Sequence, residues 1–323
     1  MKSTMPENTC LKVALIANYS LEYTTANYFR DVFNEIGIDF DMFLPRERHA
    51  IPSRYNIHFY VDDGTHYAIP RRDGVLKILY LIDTHMDLES DMIMARMADL
   101  VVCAQKNAVE PLCQVHPNVH WLPLACSEHT HYRDVKDKLY DVAFIGGVAD
   151  SRRAKILSAL QEAFPNSFLG RAERDQIGPI YSSSKVVINV AINNDINMRF
   201  FEGLCSGALL VTDKILDNGM EHLLQGYELP ICYFFSDVNE LVRKIHYYLE
   251  HDDEREQIAK RGRKFAQDNT YRDRWDYIYT LSKDIDALDR SFGEYVKTCI
   301  LLKISNGKAL FKRYACCKMP LVR

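Results

Sequence analysis

The sequence predicts an α/β protein built from two doubly wound domains in tandem, the two facing a cleft and followed by C-terminal helices. Three observations predict it. Short apolar runs alternate with amphipathic helical stretches along most of the chain, which is the pattern of parallel strands covered by helices. The alternation breaks once, at a polar, charge-rich segment, and then starts again. The length of 323 residues is also about twice that of a usual domain of roughly 100 to 200 residues.

In the first half the apolar runs are VALIA at 13–17, FDMF at 40–43, IHFYV at 57–61, LKILYLI at 76–82, LVVCA at 100–104 and VHWLPLA at 119–125. Helical patterns fall at 27–36 and in LESDMIMARMA, with a further helix after LVVCA. CSEHTHYRDVKDKL then interrupts the series. The second half runs DVAFIG, a helix at 151–163, SFLG, a helix at 173–182, VVINVAI, a helix at 197–206, ALLVTD, a short helix near Glu221, and ICYFF. From Val238 onward the spacing is helical, whereas the last thirty residues show no clear period. These breaks divide the chain into 1–137, 138–285 and a tail at 286–323. No internal repeat or low-complexity segment is present.

Composition limits the function classes. With 47% hydrophobic and 26% charged residues, the chain is neither disordered nor fibrous. Nine cysteines without a CxxC pair argue against a disulfide framework or a zinc site, and are read as reduced, mostly buried small hydrophobes. The apolar run near the start is too short for a signal sequence or a span, so a cytoplasmic location is expected. Residues 295–323 hold seven lysines and arginines and no acid, which leaves a formal −11 on the remainder of a chain whose total is −4. So acidic a body excludes nucleic acid as the expected partner, because phosphate backbones need a broad basic surface. The tail itself offers two readings: peripheral contact with the inner face of a membrane, or a terminal helix folded onto the acidic body.

In an open parallel sheet, ligands bind beyond the carboxyl ends of the strands, so the loops there hold the candidates. The first is NNDINMRFFEGLCSGALLVTD. Asn197 is placed to cap a helix carrying Arg199 in its first turn and Glu202 three residues on. A helix N-terminus attracts anions, a guanidinium adds a fork of donors for phosphate oxygens, and a carboxylate can accept hydrogen bonds from both hydroxyls of a ribose. The competing reading is a surface ion pair between Arg199 and Glu202, worth about 0.2 to 0.5 kcal/mol. The second candidate is FIGGVADSRRAK, where Gly146 and Gly147 would let the backbone approach a diphosphate and Arg152 or Arg153 would neutralise it. The third is DTH after LKILYLI. His85 could contact a donor sugar or deprotonate an acceptor hydroxyl, and Asp83 could do the latter or cap the next helix.

Other features are given less weight. Asp62 and Asp63 imitate an acidic metal pair but stand in a DDG turn. His116, His120, His129 and His131 lack the helical register of a zinc site. Tyr247, Tyr248, Trp275, Tyr277 and Tyr279 fit helix packing.

NMRFFEGLCSGALLVTD, followed by Gly219, Met220 and Glu221, resembles the donor-binding segment of the spore maturation protein B family of GT-B glycosyltransferases. LIDTHMDLESDMIMARMADLVVCAQKN, HPNVHWLPLAC, YDVAFIGG and YYLEHDDEREQIAKRGRKFAQDNTYRDRW agree with it in order, so the similarity covers about residues 75 to 280. The resemblance implies two Rossmann-like domains, an acceptor-side domain first and a nucleotide-sugar domain second, with a late helix crossing back to the first. It implies a nucleotide-diphosphate sugar as donor substrate, a glycan hydroxyl as acceptor, and no metal or other cofactor. Glu202 then matches the acid that holds the ribose, and Glu221 joins the donor set. Retaining relatives carry a second glutamate eight positions before that acid. Here that position is Asn194, so neither stereochemical outcome is implied. The rival expectation is a nucleotide-sugar or glycan-binding module without transfer activity. A nicotinamide-dependent oxidoreductase is disfavoured, because the loop after VALIA is NYSLEYTT and contains no GxGxxG.

Overall fold

A computed structural model describes residues 11–317 except 21, 23, 149, 235, 236, 286, 287 and 289, with side chains described as far as 307. The chain forms two compact units. The first comprises residues 1–104, 108–121 and 278–323, and the second residues 105–107 and 122–277.

The first unit contains β1 (Lys12–Ile16), α1 (Thr25–Ile36), β2 (Asp39–Phe43), β3 (Ile57–Val61), β4 (Leu76–Leu81), α2 (Thr84–Ala95), β5 (Leu100–Cys103), α3 (Val109–Cys113) and β6 (Val119–Trp121). Its six strands are all parallel, in the order β2-β1-β3-β4-β5-β6. Every residue of β3 is buried, while the edge strands β2 and β6 are partly exposed, as expected when only central strands are covered on both faces.

The second unit contains α4 (Glu128–His131), β7 (Tyr140–Ile145), α5 (Ser151–Ala163), β8 (Ser167–Gly170), α6 (Arg174–Ser182), β9 (Ser184–Asn189), α7 (Met198–Cys205), β10 (Leu209–Asp213), α8 (Met220–Leu223), β11 (Cys232–Phe234), α9 (Val238–Glu250) and α10 (Asp252–Gln267). Its parallel sheet has the order β11-β10-β9-β7-β8. α11 (Tyr271–Ser282) begins in this unit and ends in the first, to which α12 (Phe292–Cys317) also belongs.

Counted from its own first strand, each sheet begins 2-1-3-4-5. The strand order therefore reverses between β1 and β3 in one unit, and between β7 and β9 in the other. The carboxyl ends of strands at such a reversal form a crevice, because successive helices leave on opposite faces. The first core joins Ile16, Leu79, Leu81 and Val101 to Met94 of α2 and Leu302 of α12. The second joins Val142, Ile188 and Val211 to Ile156 of α5, Leu241 of α9 and Ile258 of α10.

Two expectations need correction, whereas the reading of the tail as a terminal helix folded onto the body agrees with the structure. The final segment, which lacks a clear apolar period, is helical from Phe292 to Cys317, and Leu302 is buried in the first core. Its inner face meets only one flank of a small unit, so a few positions suffice to dock it and no regular stripe results. The interrupting segment CSEHTHYRDVKDKL contains α4, whose His131 is fully buried. Of the aromatics assigned to packing, Trp275 is fully buried but Tyr247 and Tyr277 are 44% and 42% exposed.

Among the described cysteines, Cys103, Cys126, Cys205 and Cys232 are buried free thiols and Cys113 is exposed. No described helix is long and apolar enough to cross a membrane.

Candidate functional site

The strand reversal of the second unit is occupied by Arg199. Asn197 caps α7, its side chain accepting the Phe200 N–H at 3.3 Å, and this fixes the first turn on which Arg199 stands. Arg199 Nε donates to the Ile145 carbonyl at the end of β7 at 2.7 Å, and Nη1 donates to Asn189 Oδ1 at the end of β9 at 3.3 Å. Asn189 is held in turn by donating to Thr212 Oγ1 of β10 at 3.0 Å. The guanidinium lies over the Phe144 ring, 4.4 Å from its centroid. Among the described residues no carboxylate pairs with Arg199, so the surface ion pair with Glu202 does not form. Its acceptors are a carbonyl and an amide, which fix the fork without cancelling its charge.

Glu202, one turn later on the same helix, is buried, with 9% of its side chain exposed. None of the described residues donates a hydrogen bond to its oxygens. Burial pushes its carboxyl up to about 7, against a smaller downward pull from Arg199. Behind it, His131 Nε2 lies 3.7 Å from Oε1. The Ser127 N–H donates to His131 Nδ1 at 3.1 Å, so the single proton of the neutral ring belongs on Nε2, facing Glu202. Burial pushes His131 down to about 3, and the ring is neutral at ordinary pH. Gly203 lets α7 press on the sheet, since a Cβ there would lie 2.7 Å from Leu210 Cδ1 and 3.1 Å from Val187 Cγ1.

The glycine-arginine loop is built differently from its sequence reading. A Cβ on Gly146 would overlap Arg199 Nη2, so this glycine makes room for the guanidinium rather than for a ligand. Arg152 is paired with Asp213. Arg153 is buried, donates to the Gly147 carbonyl at 3.0 Å and the Val190 carbonyl at 2.5 Å, and is pushed down to about 10 by burial. Both arginines thus brace the carboxyl ends of the strands. Asp150 caps α5, accepting the Arg153 N–H at 2.7 Å, and its negative charge offsets the positive end of that helix. The cap of α7 is the neutral Asn197, so of these two helix starts only α7 keeps its attraction for anions.

Arg171 is absent from the sequence reading. It follows β8 directly, is exposed, and comes within 3.4 Å of where a Cβ on Gly147 would stand. No hydrogen bond or ion pair holds it among the described residues. The rule that singled out the loop after β7 applies equally to the residue after SFLG and would have found it. His131 had no such signal, since only the packing of α4 brings it to Glu202.

Asn193 and Asn194 both adopt positive φ, at 49° and 60°, which asparagine tolerates better than most residues. The Asn194 amide is spent on another loop: Nδ2 donates to the Leu216 carbonyl, and Oδ1 accepts the Leu216 N–H at 3.0 Å. Asn218 Nδ2 donates to the Asn194 carbonyl at 2.8 Å. Glu221 lies in the first turn of α8 and is exposed.

In the first unit, Asp83 and His85 stand at the carboxyl end of β4, where α2 begins. Asp83 is exposed at the N-cap position, but its side chain makes no capping bond. His85 is half-buried, with its Nδ1 buried and lacking a hydrogen-bond partner. Asp62 accepts the N–H groups of Gly64, Ile82 and Asp83, and Asp63 those of Asn18 and Thr65. These two acids tie loops together at the strand ends. His116 is likewise structural, with Nε2 against the Ala98 carbonyl at 2.9 Å and Nδ1 accepting the Asn118 N–H at 3.1 Å.

Residues 133–280 match the family model described as glycosyl transferase-like. None of the curated proteins matches the chain in sequence. Among solved structures it is similar to the Anabaena protein HepE in complex with UDP and glucose, at 11% identity over 84% of this chain and 100% of that one, with a TM-score of 0.62. It is also similar to sucrose-phosphate synthase from Thermosynechococcus elongatus, at 12% identity over 85% and 98% of the two chains and a TM-score of 0.60. A third is an alpha-glucosyltransferase in complex with UDP-glucose and DNA containing an abasic site, at 10% identity over 83% and 99% and a TM-score of 0.60. At these identities the likeness is one of fold: two Rossmann-like units with C-terminal helices, the GT-B fold.

Proposed function

We propose that this chain is a metal-independent GT-B glycosyltransferase, related to the spore maturation protein B family, that moves a hexose or amino-hexose from a nucleotide-diphosphate sugar to a hydroxyl of a glycan or surface polysaccharide. The observation that carries the reading is the pair on α7: a guanidinium at the strand reversal with no carboxylate partner among the described residues, and one turn on a buried acid to which none of those residues donates a hydrogen bond. An anion and a diol are the two ligand groups this pair lacks, and a nucleoside diphosphate supplies both.

In this reading Arg199, Arg171 and the α7 N-terminus take the diphosphate, and Glu202 accepts from the ribose hydroxyls. The bond from the anomeric carbon to the diphosphate oxygen breaks while one to the acceptor oxygen forms. The nucleoside diphosphate leaves with the electron pair, and charge developing on it is met by donors already oriented. The acceptor proton passes to a base, the role proposed for His85 or Asp83. Asn197 holds the helix start, Gly146 and Gly147 leave space beside the two cations, Arg152 braces the loop and Glu221 contributes to the donor set. UDP-bound and UDP-glucose-bound proteins of the same fold favour uridine among the nucleotides.

The first experiment is thermal stabilisation by a panel of UDP-, GDP- and dTDP-sugars. A ligand at about 100 times its dissociation constant adds roughly 2.7 kcal/mol. One nucleotide class is expected to stabilise the protein and Arg199→Ala to abolish the effect; undiminished stabilisation of Arg199→Ala rejects the assignment. A second reading, binding without transfer, is favoured by Asn194, which stands where an acid is expected and whose amide is already spent on Leu216. Nucleotide binding without donor hydrolysis, and without transfer to any glycan tested, selects it.

A further inference from the structure

The two sides of α12 differ in a way that packing within the first unit does not explain. Its inner side is docked. Leu302 is buried in the first core, with Tyr295, Cys299 and Leu301 against the same cluster. Ser305 Oγ lies 2.9 Å from Ser90 Oγ of α2, and Asn306 Nδ2 donates to the His66 carbonyl at 3.0 Å.

The other side leaves four large apolar residues in water: Phe292 at 70% exposure, Val296 at 37%, Ile300 at 54% and Ile304 at 52%. Spaced four apart, they form one row about 18 Å long at 1.5 Å per residue. Lys297 and Lys303 are exposed beside the row. Glu294, in the first turn of the helix, accepts hydrogen bonds from Ser291. From residue 295 onward the sequence has no acid and adds Lys308, Lys312, Arg313, Lys318 and Arg323, which lie outside the described side chains.

We propose that the outward face of α12 docks this chain onto the surface of an anionic lipid bilayer. A helix lying in the interface buries an apolar row among the acyl chains and keeps basic side chains at the headgroups, which is the division this face shows. Charge selects the occupant. A second copy seated on the same face would bring Lys297 and Lys303 of both copies together, which like-charge repulsion opposes. An anionic bilayer supplies the complementary sign along the whole segment, each basic residue adding to the attraction near the surface. The inference is independent of the donor reading, because none of its residues belongs to the second unit.

The test is co-sedimentation of the full chain with vesicles of phosphatidylcholine alone, or with roughly a third phosphatidylglycerol. The charge contribution should fade at about 0.5 M salt, where the screening length is only about 4 Å. Wild-type protein is expected to bind the anionic vesicles at least about tenfold better than the neutral ones. Ile300→Ser with Ile304→Ser, and separately Lys297→Glu with Lys303→Glu, should each release it with an unchanged melting temperature, since all four side chains are exposed. No binding by wild type, binding indifferent to lipid charge, or full binding by both variants overturns the proposal. So does a dimer in analytical ultracentrifugation that the serine variant converts to monomer, because the row would then be covered by a second copy.

Discussion

At the scale of single residues, Glu202 and Arg199 separate two demands that usually coincide. The folded state holds the Glu202 proton to about pH 7, whereas an ordinary glutamate releases it near 4.5. Between those values the folded state binds more protons than the unfolded one. Its contribution to stability is therefore fully present below 4.5 and lost as pH rises through 7. Glu202→Gln should melt at nearly the same temperature as wild type at about pH 4.5 and higher than wild type at about pH 8, with a ceiling of about 3 kcal/mol for the shift. The same substitution should weaken nucleotide binding, because a neutral amide accepts from a diol less well than a carboxylate. A lower melting temperature at the higher pH would show that Glu202 is not held unpaired. Arg199→Lys gives a different contrast. It keeps the charge but loses the two-pronged seat on Ile145 and Asn189. Nucleotide affinity measured by titration should fall at least about tenfold, a loss of about 1.4 kcal/mol.

At the scale of elements, the two helices that begin beside β7 and β9 differ by one capping residue. α5 starts at a carboxylate and α7 at an amide, and both caps accept a backbone N–H. Asn197→Asp keeps the cap and adds a negative charge where the diphosphate is proposed to lie. Its melting temperature should stay close to that of wild type while nucleotide affinity drops. Asn197→Ala removes the cap and should cost about 1 kcal/mol of stability. If Asn197→Asp binds nucleotide as well as wild type does, the α7 N-terminus is not the anion site. Gly146 belongs to the same scale, because the turn after β7 is shaped by the side chain that crosses it. Gly146→Ala is expected to displace the Arg199 guanidinium and to lower affinity in step with the arginine variants.

At the scale of the whole molecule, the chain leaves the first unit, builds the second and returns at Ile278. The return is fastened by Asp99, which is fully buried and accepts from Lys77 Nζ at 2.8 Å, Arg290 Nη1 at 3.0 Å and the Leu288 N–H at 3.0 Å. Removing one member of such a buried network strands the others, typically at a cost of about 3 to 5 kcal/mol. Asp99→Ala should lower the urea midpoint of the protein by that order while leaving nucleotide affinity unchanged, since every partner lies in the first unit. Unaltered stability would mean that Lys77 and Arg290 find water when the carboxylate is gone.

The order of strands and helices was open to sequence reasoning because it depends on local periodicity. IHFYV is β3 residue for residue, and Asn197 was recognisable as a cap from its place before an amphipathic run. The arginine in the first turn of α7, on which the proposed anion site rests, was equally readable. What the sequence could not contain is which charges cancel. Arg152 and Arg199 look alike in the chain, yet only the fold sets the Asp213 carboxylate against one and a carbonyl, an amide and an aromatic ring around the other. His131 meets Glu202, and α12 packs on the first core, through contacts between segments far apart in sequence. Local patterns determine which elements form. Burial and the pairing of distant charges, which decide what each side chain is left free to bind, exist only once those elements have packed.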